Sequence, residues 1–104
     1  MKYKRFGEDI VVRLEVGEEV VASLAEIAER EGVTFAEVSG IGAADEFDVS
    51  VHIHAAACRR DGTAVGGHLK RAVISATCEL VLHTVYGRVP RFYDERTGLN
   101  LMEL

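Results

Sequence analysis

The stretch from His68 to Gly87, HLKRAVISATCELVLHTVYG, constrains the fold most, because apolar and polar residues alternate along nearly all of it. A period of two predicts a long, bent strand. Its two faces carry separate apolar sets, with Ile74, Ala76, Leu80 and Leu82 on one and Val73, Val81 and Val85 on the other. We therefore expect a helix to cover one face and a neighbouring subunit to cover the other.

The segment GEEVVASLAEIAEREG supplies that helix. Its apolar residues recur at helical spacing, with Glu18 and Glu19 in the first turn and Gly32 past the end. The predicted buried stripe consists of Val20, Val21, Leu24, Ile27 and Ala28.

Three further segments shape the predicted sheet. DIVVRLEV and FDVSVHIHAAAC alternate and predict strands, whereas VTFAEVSGIGAAD predicts a strand that runs into a turn at Gly40 and Gly42. Close backbone approach or a positive φ is expected at those two glycines. RRDGTAVGG predicts a turn, and VPRFYDERTGLNLMEL predicts a turn-rich end with a small apolar tail. The fold class is α+β, with an antiparallel or mixed sheet and one main amphipathic helix.

Length and charge limit the classes of function. The 104 residues predict a single domain spanning 1–104, and the net charge of −5 repels nucleic acid phosphates. No apolar run has the length of a membrane span, so we expect a cytoplasmic protein with no membrane contact. Cys58 and Cys78 are too few for a disulfide framework and are predicted to be reduced thiols.

Three histidines form the candidate metal site. On a strand, His52 and His54 share one face with Cys58, and a hairpin brings His68 back beside them. Two imidazoles at i and i+2 can reach one ion, and a third gives a three-histidine zinc site with an open fourth position. The alternative is an ordinary polar strand face.

Other polar residues are weaker candidates. His83 could be a ligand or support one, although an exposed or hydrogen-bonded strand histidine is the simpler interpretation. Glu79 could transfer protons or orient an imidazole, and Cys58 could be a thiolate ligand. The alternative for each is an ordinary exposed residue with no role in a site. Two basic pairs flank the turn, Arg59 with Arg60 and Lys70 with Arg71, and could attract a small anionic ligand or simply be solvated.

The chain resembles the plants and prokaryotes conserved (PPC) domain family. The resemblance rests on RFGEDIVVRLEVGEEVVASL, SGIGAADEF, HIHAAACRRDGTAVGGHL and RFYDERTGLNLMEL, in that order, from about residue 3 to 103. It implies one main helix on an antiparallel sheet, a homotrimer, and zinc held by histidines that map onto His52, His54 and His68. It also implies a distant similarity to acetolactate decarboxylases.

The chain departs from the family pattern after Ala43. The family there has a further Gly-x-Phe-Glu-Ile-Leu-type strand and an SLSG turn, whereas this chain passes directly to ADEFDVSVHIH. We expect a domain shortened by two or three strands, by natural variation or engineering, with a neighbouring subunit filling the gap.

Three functions follow as hypotheses. The first is a trimeric PPC-type module that binds a divalent metal and acts in assembly or regulation. The second is a small zinc-dependent lyase or hydrolase acting on a carbonyl-containing substrate, with Glu79 or a backbone group handling protons. The third is a DNA-associated regulator. DNA binding by this chain alone is not expected, because YGRVPRF lacks the Arg-Gly-Arg-Pro order of the family's AT-hook.

Overall fold

The computed structural model describes the backbone of residues 1–104 and the side chains of residues 1–46 and 53–104. The elements follow in the order β1 (Lys2–Phe6), β2 (Asp9–Glu15), α1 (Val20–Glu31), β3 (Ala36–Cys58), β4 (Ala64–Thr84), β5 (Arg91–Asp94) and β6 (Leu99–Met102). One helix on an antiparallel sheet confirms the predicted α+β class. In the described residues, no helix has the length and hydropathy that crossing a membrane requires.

The first four strands form one sheet in the order β1-β2-β4-β3, and every neighbouring pair is antiparallel. Val12 lies opposite Leu80, and Val38 lies opposite Leu82. Alternate side chains of a strand point to opposite sides of the sheet, so those in line with Val12 and Leu80 face α1. The side chains between them, such as Val11 and Val81, lie on the side that α1 does not cover, which we call the open face. β1 is a strand that the sequence interpretation did not identify.

The core lies between α1 and one face of the sheet. The helix contributes Val20, Leu24 and Ile27, as its periodicity predicts. The sheet contributes a larger apolar set: Ile10, Val12, Leu14, Leu69, Ala72, Ile74, Cys78, Leu80 and Leu82. Ile10, Leu14 and Ile27 are fully excluded from solvent. The open face is less apolar, and Val11 and Val81 remain exposed on it.

Both ends of α1 are capped. The Glu19 carboxylate accepts hydrogen bonds from the Val21 and Ala22 amides, at 3.0 and 2.7 Å. Gly32 adopts φ 64° in the left-handed region, and its amide bonds back to the last turn. These contacts satisfy amide and carbonyl groups that a helix leaves unpaired at its ends.

Gly40 and Gly42 lie inside β3, so the predicted turn at these residues is wrong. The other part of the expectation, close backbone approach, is confirmed. A Cβ on Gly40 would lie 2.3 Å from the Glu79 carbonyl oxygen, and one on Gly42 would lie 2.6 Å from the Cys78 Cβ. Glycine is needed here because the β4 backbone and side chains occupy the space above β3.

β3 and β4 continue beyond the rest of the sheet as a hairpin. β2 pairs with β4 only as far as Thr77, whereas β4 begins at Ala64. We call the distal hairpin, Ile53–Cys58 with Ala64–Leu69, the arm. The radius of gyration is 14.8 Å, compared with about 13 Å for a compact domain of this length. The arm turn is shorter than predicted, because Gly66 and Gly67 already belong to β4.

The C-terminal residues form a second sheet of two strands, β5 and β6, with Phe92 opposite Leu101. The sequence interpretation expected turns and an apolar tail here, so it missed this hairpin. The alternation in RFYD and LNLM is only four residues long in each strand, which is too short to distinguish from irregular chain.

Candidate functional site

The arm turn fixes which residues of β3 and β4 face each other. Asp61 accepts hydrogen bonds from the amide and the hydroxyl of Thr63, at 2.9 and 2.7 Å. The hydrogen bond from the Thr63 hydroxyl and then that from the Thr63 amide lower the pKa of Asp61, and together they outweigh desolvation. Gly62 adopts φ 87°, and its amide bonds to the Arg59 carbonyl at 3.0 Å. This Asp-Gly turn sets the antiparallel register of the arm.

That register places His54 directly opposite His68. The two imidazole ring centroids lie 4.0 Å apart, with an angle of 48° between the ring planes. Both side chains are exposed, whereas Ile53 is half-buried and Leu69 is buried on the other face of the arm. The predicted alternation is therefore confirmed from Ile53 onward, and the hairpin brings His68 to the histidine row as expected.

The third predicted ligand, His52, has a side chain outside the described residues. Val49 and Ile53 both lie opposite Leu69, so the register shifts beside His52 and the period-two argument does not extend through this point. Among the side chains that the structure describes, no group of three or more His, Cys, Asp and Glu residues is placed to hold a metal. Two of the three predicted histidines are brought together.

The surroundings of the histidine pair are basic. The segment 53–72 contains Arg59, Arg60, Lys70 and Arg71 with one acidic residue, Asp61, although the whole chain has a net charge of −5. Arg71 pairs with Glu46. Cys58 is exposed, as the shared face predicts. The segment 53–72, which contains the arm and its turn, is thus a positively charged part of an acidic protein.

His83 and Glu79 lie in the main sheet, away from the histidine pair. The Nδ1 atom of His83 is 2.8 Å from an Asp9 carboxylate oxygen, which confirms a hydrogen-bonded strand histidine. This hydrogen bond and the charge of Asp9 raise the pKa of His83, and Glu8 and Glu37 add smaller contributions. Glu79 lies opposite Arg13 and Ile41 on the open face.

The sequence interpretation did not identify a cleft at the other end of the sheet. It has a volume of about 500 Å³ and lies between the end of α1 and the ends of β3 and β4. Arg5, Thr34 and Tyr86 contribute to its lining, and Arg5 is already paired with Glu31 at 3.2 Å. The lining residues come from three separated segments, so no local motif could predict the cleft.

The fold agrees with comparisons to known proteins. The model of the Plants and Prokaryotes Conserved (PCC) domain, the family called PPC above, matches residues 1–50 and 44–85. The chain belongs to the PCC domain family. A search of curated proteins finds no match to this PCC domain.

Solved structures share the PCC fold over nearly the whole chain. One from Bacteroides thetaiotaomicron, provisionally described as a DNA-binding protein, has a TM-score of 0.89 at 22% identity and covers 98% of this chain and 96% of its own. A plant- and prokaryote-conserved protein from Pyrococcus horikoshii has a TM-score of 0.76 at 16% identity, with coverages of 99% and 94%. A protein from Archaeoglobus fulgidus, described as metal-containing, has a TM-score of 0.67 at 25% identity and covers 100% of both chains.

Proposed function

We propose that this PCC domain is a homotrimeric module that binds one divalent metal ion, zinc, per chain through His52, His54 and His68, and acts in assembly or regulation. The observation that carries the metal proposal is the cross-strand contact of His54 and His68. Rings with centroids 4.0 Å apart can each direct one nitrogen to a shared ion at about 2.0–2.1 Å. His52 would supply the third nitrogen.

Two further observations support a metal in the arm. Both histidines are exposed, so an ion can reach them without unfolding the arm. The similar protein from Archaeoglobus fulgidus is described as metal-containing, and the likeness extends over the whole chain. A site of three neutral imidazoles would keep the full charge of the ion. Together with the basic segment 53–72, that charge favours a small anionic ligand at the open position.

Metal analysis of the purified protein tests the site. We expect about one zinc ion per chain in the wild type and loss of that ion in each of the three variants His52→Ala, His54→Ala and His68→Ala. His83→Ala is the matched control, because His83 is exposed but bonded to Asp9 in the main sheet. Stoichiometric metal in the triple variant, or equal loss in His83→Ala, would contradict the proposal.

The open face of the sheet supports the homotrimer. Val11, Val81 and Ile41 are 45%, 39% and 79% exposed on the face that α1 does not cover. Burying such side chains against another subunit is favourable by about 25 cal/mol per Å² of apolar surface. Size exclusion with light scattering at low micromolar concentration should give a mass near three times 11.4 kDa. A stable species of 11.4 kDa would exclude the trimer.

Association with DNA is a second candidate function, suggested by the description of the Bacteroides thetaiotaomicron structure and by the basic segment 53–72. The net charge of −5 limits this interaction, because the rest of the surface repels phosphates. A gel-shift titration at physiological salt should give a Kd of about 10⁻⁴ to 10⁻⁶ M or weaker. Sequence-selective nanomolar binding would instead establish the domain as a DNA-binding module.

A further inference from the structure

The cleft at the end of the main sheet has walls that hydrogen bonds hold together. The Thr34 hydroxyl donates to the Gly87 carbonyl at 2.7 Å, and the Val85 amide donates to the Phe35 carbonyl at 3.0 Å. Gly87 adopts φ 117°, a backbone conformation that residues with a side chain rarely adopt. These contacts join the chain after α1 to the chain after β4, so the cleft is part of the fold rather than a gap between independent loops.

One positive charge in this cleft has no partner. Arg5 donates to the backbone carbonyl and to the carboxylate of Glu31, both at 3.2 Å. It therefore neutralises the one acidic residue of the described lining and offsets the negative end of α1. Arg88 also lines the cleft, and its guanidinium makes no hydrogen bond or ion pair with any residue that the structure describes. Two arginines and one glutamate thus leave the lining with one positive charge, in a chain whose net charge is −5.

The rest of the lining is in large part apolar. Val33 and Phe35 are half-buried, and Val85 is 43% exposed. Ligand sites of about 300–1,000 Å³ typically combine apolar walls with a few polar groups that fix the orientation of the ligand, and this cleft has about 500 Å³. A guanidinium pairs with a carboxylate through two parallel hydrogen bonds. A ligand that matches these walls has an apolar body and one carboxylate.

We propose that this cleft binds a small carboxylate with an aromatic or aliphatic body. Arg88 pairs with the carboxylate, while Val85 and Phe35 contact the body. A ligand with several negative charges fits less well, because the lining offers one uncompensated cation and Glu31 repels a second anionic group. The site is separate from the proposed metal site, since β4 begins in the arm and ends at the cleft.

Titration of the 104-residue chain with phenylacetate tests the site. Phenylacetate has both features of the ligand, whereas 2-phenylethanol keeps the ring without the charge and acetate keeps the charge without the ring. We expect phenylacetate to shift the NMR amide signals of Phe35, Val85 and Gly87 until they saturate. The other two compounds should bind about tenfold more weakly or less. Prior chelation of metal ensures that an anion bound at the proposed zinc site does not contribute.

Two variants test the two walls. Arg88→Gln should weaken phenylacetate binding by about tenfold or more, because the carboxylate loses its charged donor. Arg96→Gln is the matched control, because Arg96 is an exposed arginine between β5 and β6 and does not line the cleft. Val85→Ala shortens the apolar wall, so it should weaken the binding of phenylacetate and leave that of acetate unchanged. Circular dichroism checks that each variant is folded.

Saturable binding that Arg88→Gln weakens and Arg96→Gln does not weaken would support the proposal. An unchanged affinity in folded Arg88→Gln, or an equal loss in Arg96→Gln, would overturn it. Equal affinity for 2-phenylethanol, or no saturable shift at all, would overturn it as well. Shifts centred on His54 and His68 would place the carboxylate in the arm, which would also overturn the assignment to the cleft.

Discussion

Removing the Glu19 carboxylate should destabilise this domain more than its position at a helix end suggests. The carboxylate caps α1 through the amides of Val21 and Ala22, and it also accepts the Ala72 amide of β4 at 3.0 Å. Loss of a helix cap costs about 0.5–2 kcal/mol. Ala72 is 4% exposed, and leaving a buried amide without an acceptor costs about 1–3 kcal/mol. We therefore expect Glu19→Ala to lower the free energy of unfolding by about 2–4 kcal/mol.

Urea unfolding at fixed protein concentration measures this loss, with Glu29→Ala as the control on an exposed position of the same helix. Partial burial of Glu19 acts to raise its pKa, but the Ala72, Ala22 and Val21 amides outweigh it and lower the pKa overall. A lowered pKa contributes stability above the unfolded value of about 4.3, and that stability is lost as the pH falls through the folded value. Glu19→Gln should therefore differ from the wild type most at neutral pH and least in acid. A Glu19→Ala effect no larger than that of Glu29→Ala would refute the reasoning.

Three further predictions concern the sheet and the core. Gly40→Ala should destabilise the domain by about 1–3 kcal/mol or more in thermal unfolding, because the new Cβ would lie 2.3 Å from the Glu79 carbonyl oxygen. Ser39→Ala, on the exposed side of β3, is the control and should be nearly neutral. Ile27→Ala should cost about 2–5 kcal/mol in urea unfolding, because Ile27 is fully buried, and a cost as small as that of an exposed helix residue would contradict the core assignment. Asp9→Asn should lower the pKa of His83, as measured in an NMR titration. In the wild type, the ion pair of protonated His83 with Asp9 contributes stability at pH values below the pKa of His83, and this stability is lost as the pH rises through the raised pKa. An unchanged His83 titration would show that the Asp9 contact does not form in solution.

The parts of the fold that the sequence predicts are those with long, regular apolar patterns. The stripe that includes Val20, Leu24 and Ile27 predicts α1, and the alternation up to Leu82 predicts most of β4. β1 and the β5–β6 hairpin escaped prediction because their strands have only four or five residues and their side chains are mostly exposed. Burial creates the pattern, so an exposed short strand leaves little signal.

In the candidate site, features set by neighbouring residues could be predicted from the sequence, whereas features set by contacts with distant residues could not. The Asp-Gly turn after Cys58 predicts a hairpin, and the hairpin brings His68 beside His54. The register shift between Val49 and Ile53 could not be predicted, because the sequence alternates through it without interruption. The turn expected at Gly40 and Gly42 was wrong for a related reason, since the contact that requires glycine comes from distant Glu79 and Cys78. The shortened segment after Ala43 and the similarity to acetolactate decarboxylases stay predictions.

The residues that stabilise this domain and the candidate metal ligands lie at different ends of the long β3–β4 hairpin. β4 packs Leu80 and Leu82 against the helix, while its distal end holds His68 on an exposed row. Substitutions at exposed positions away from caps and cores usually change stability by no more than about 0.5 kcal/mol. Substitution of the arm histidines should therefore cost little stability, whereas substitution of Gly40 or Glu19 should cost more. The helix and the central sheet therefore carry the stability of the domain, and the proposed metal ligands His54 and His68 lie in the arm, outside that core.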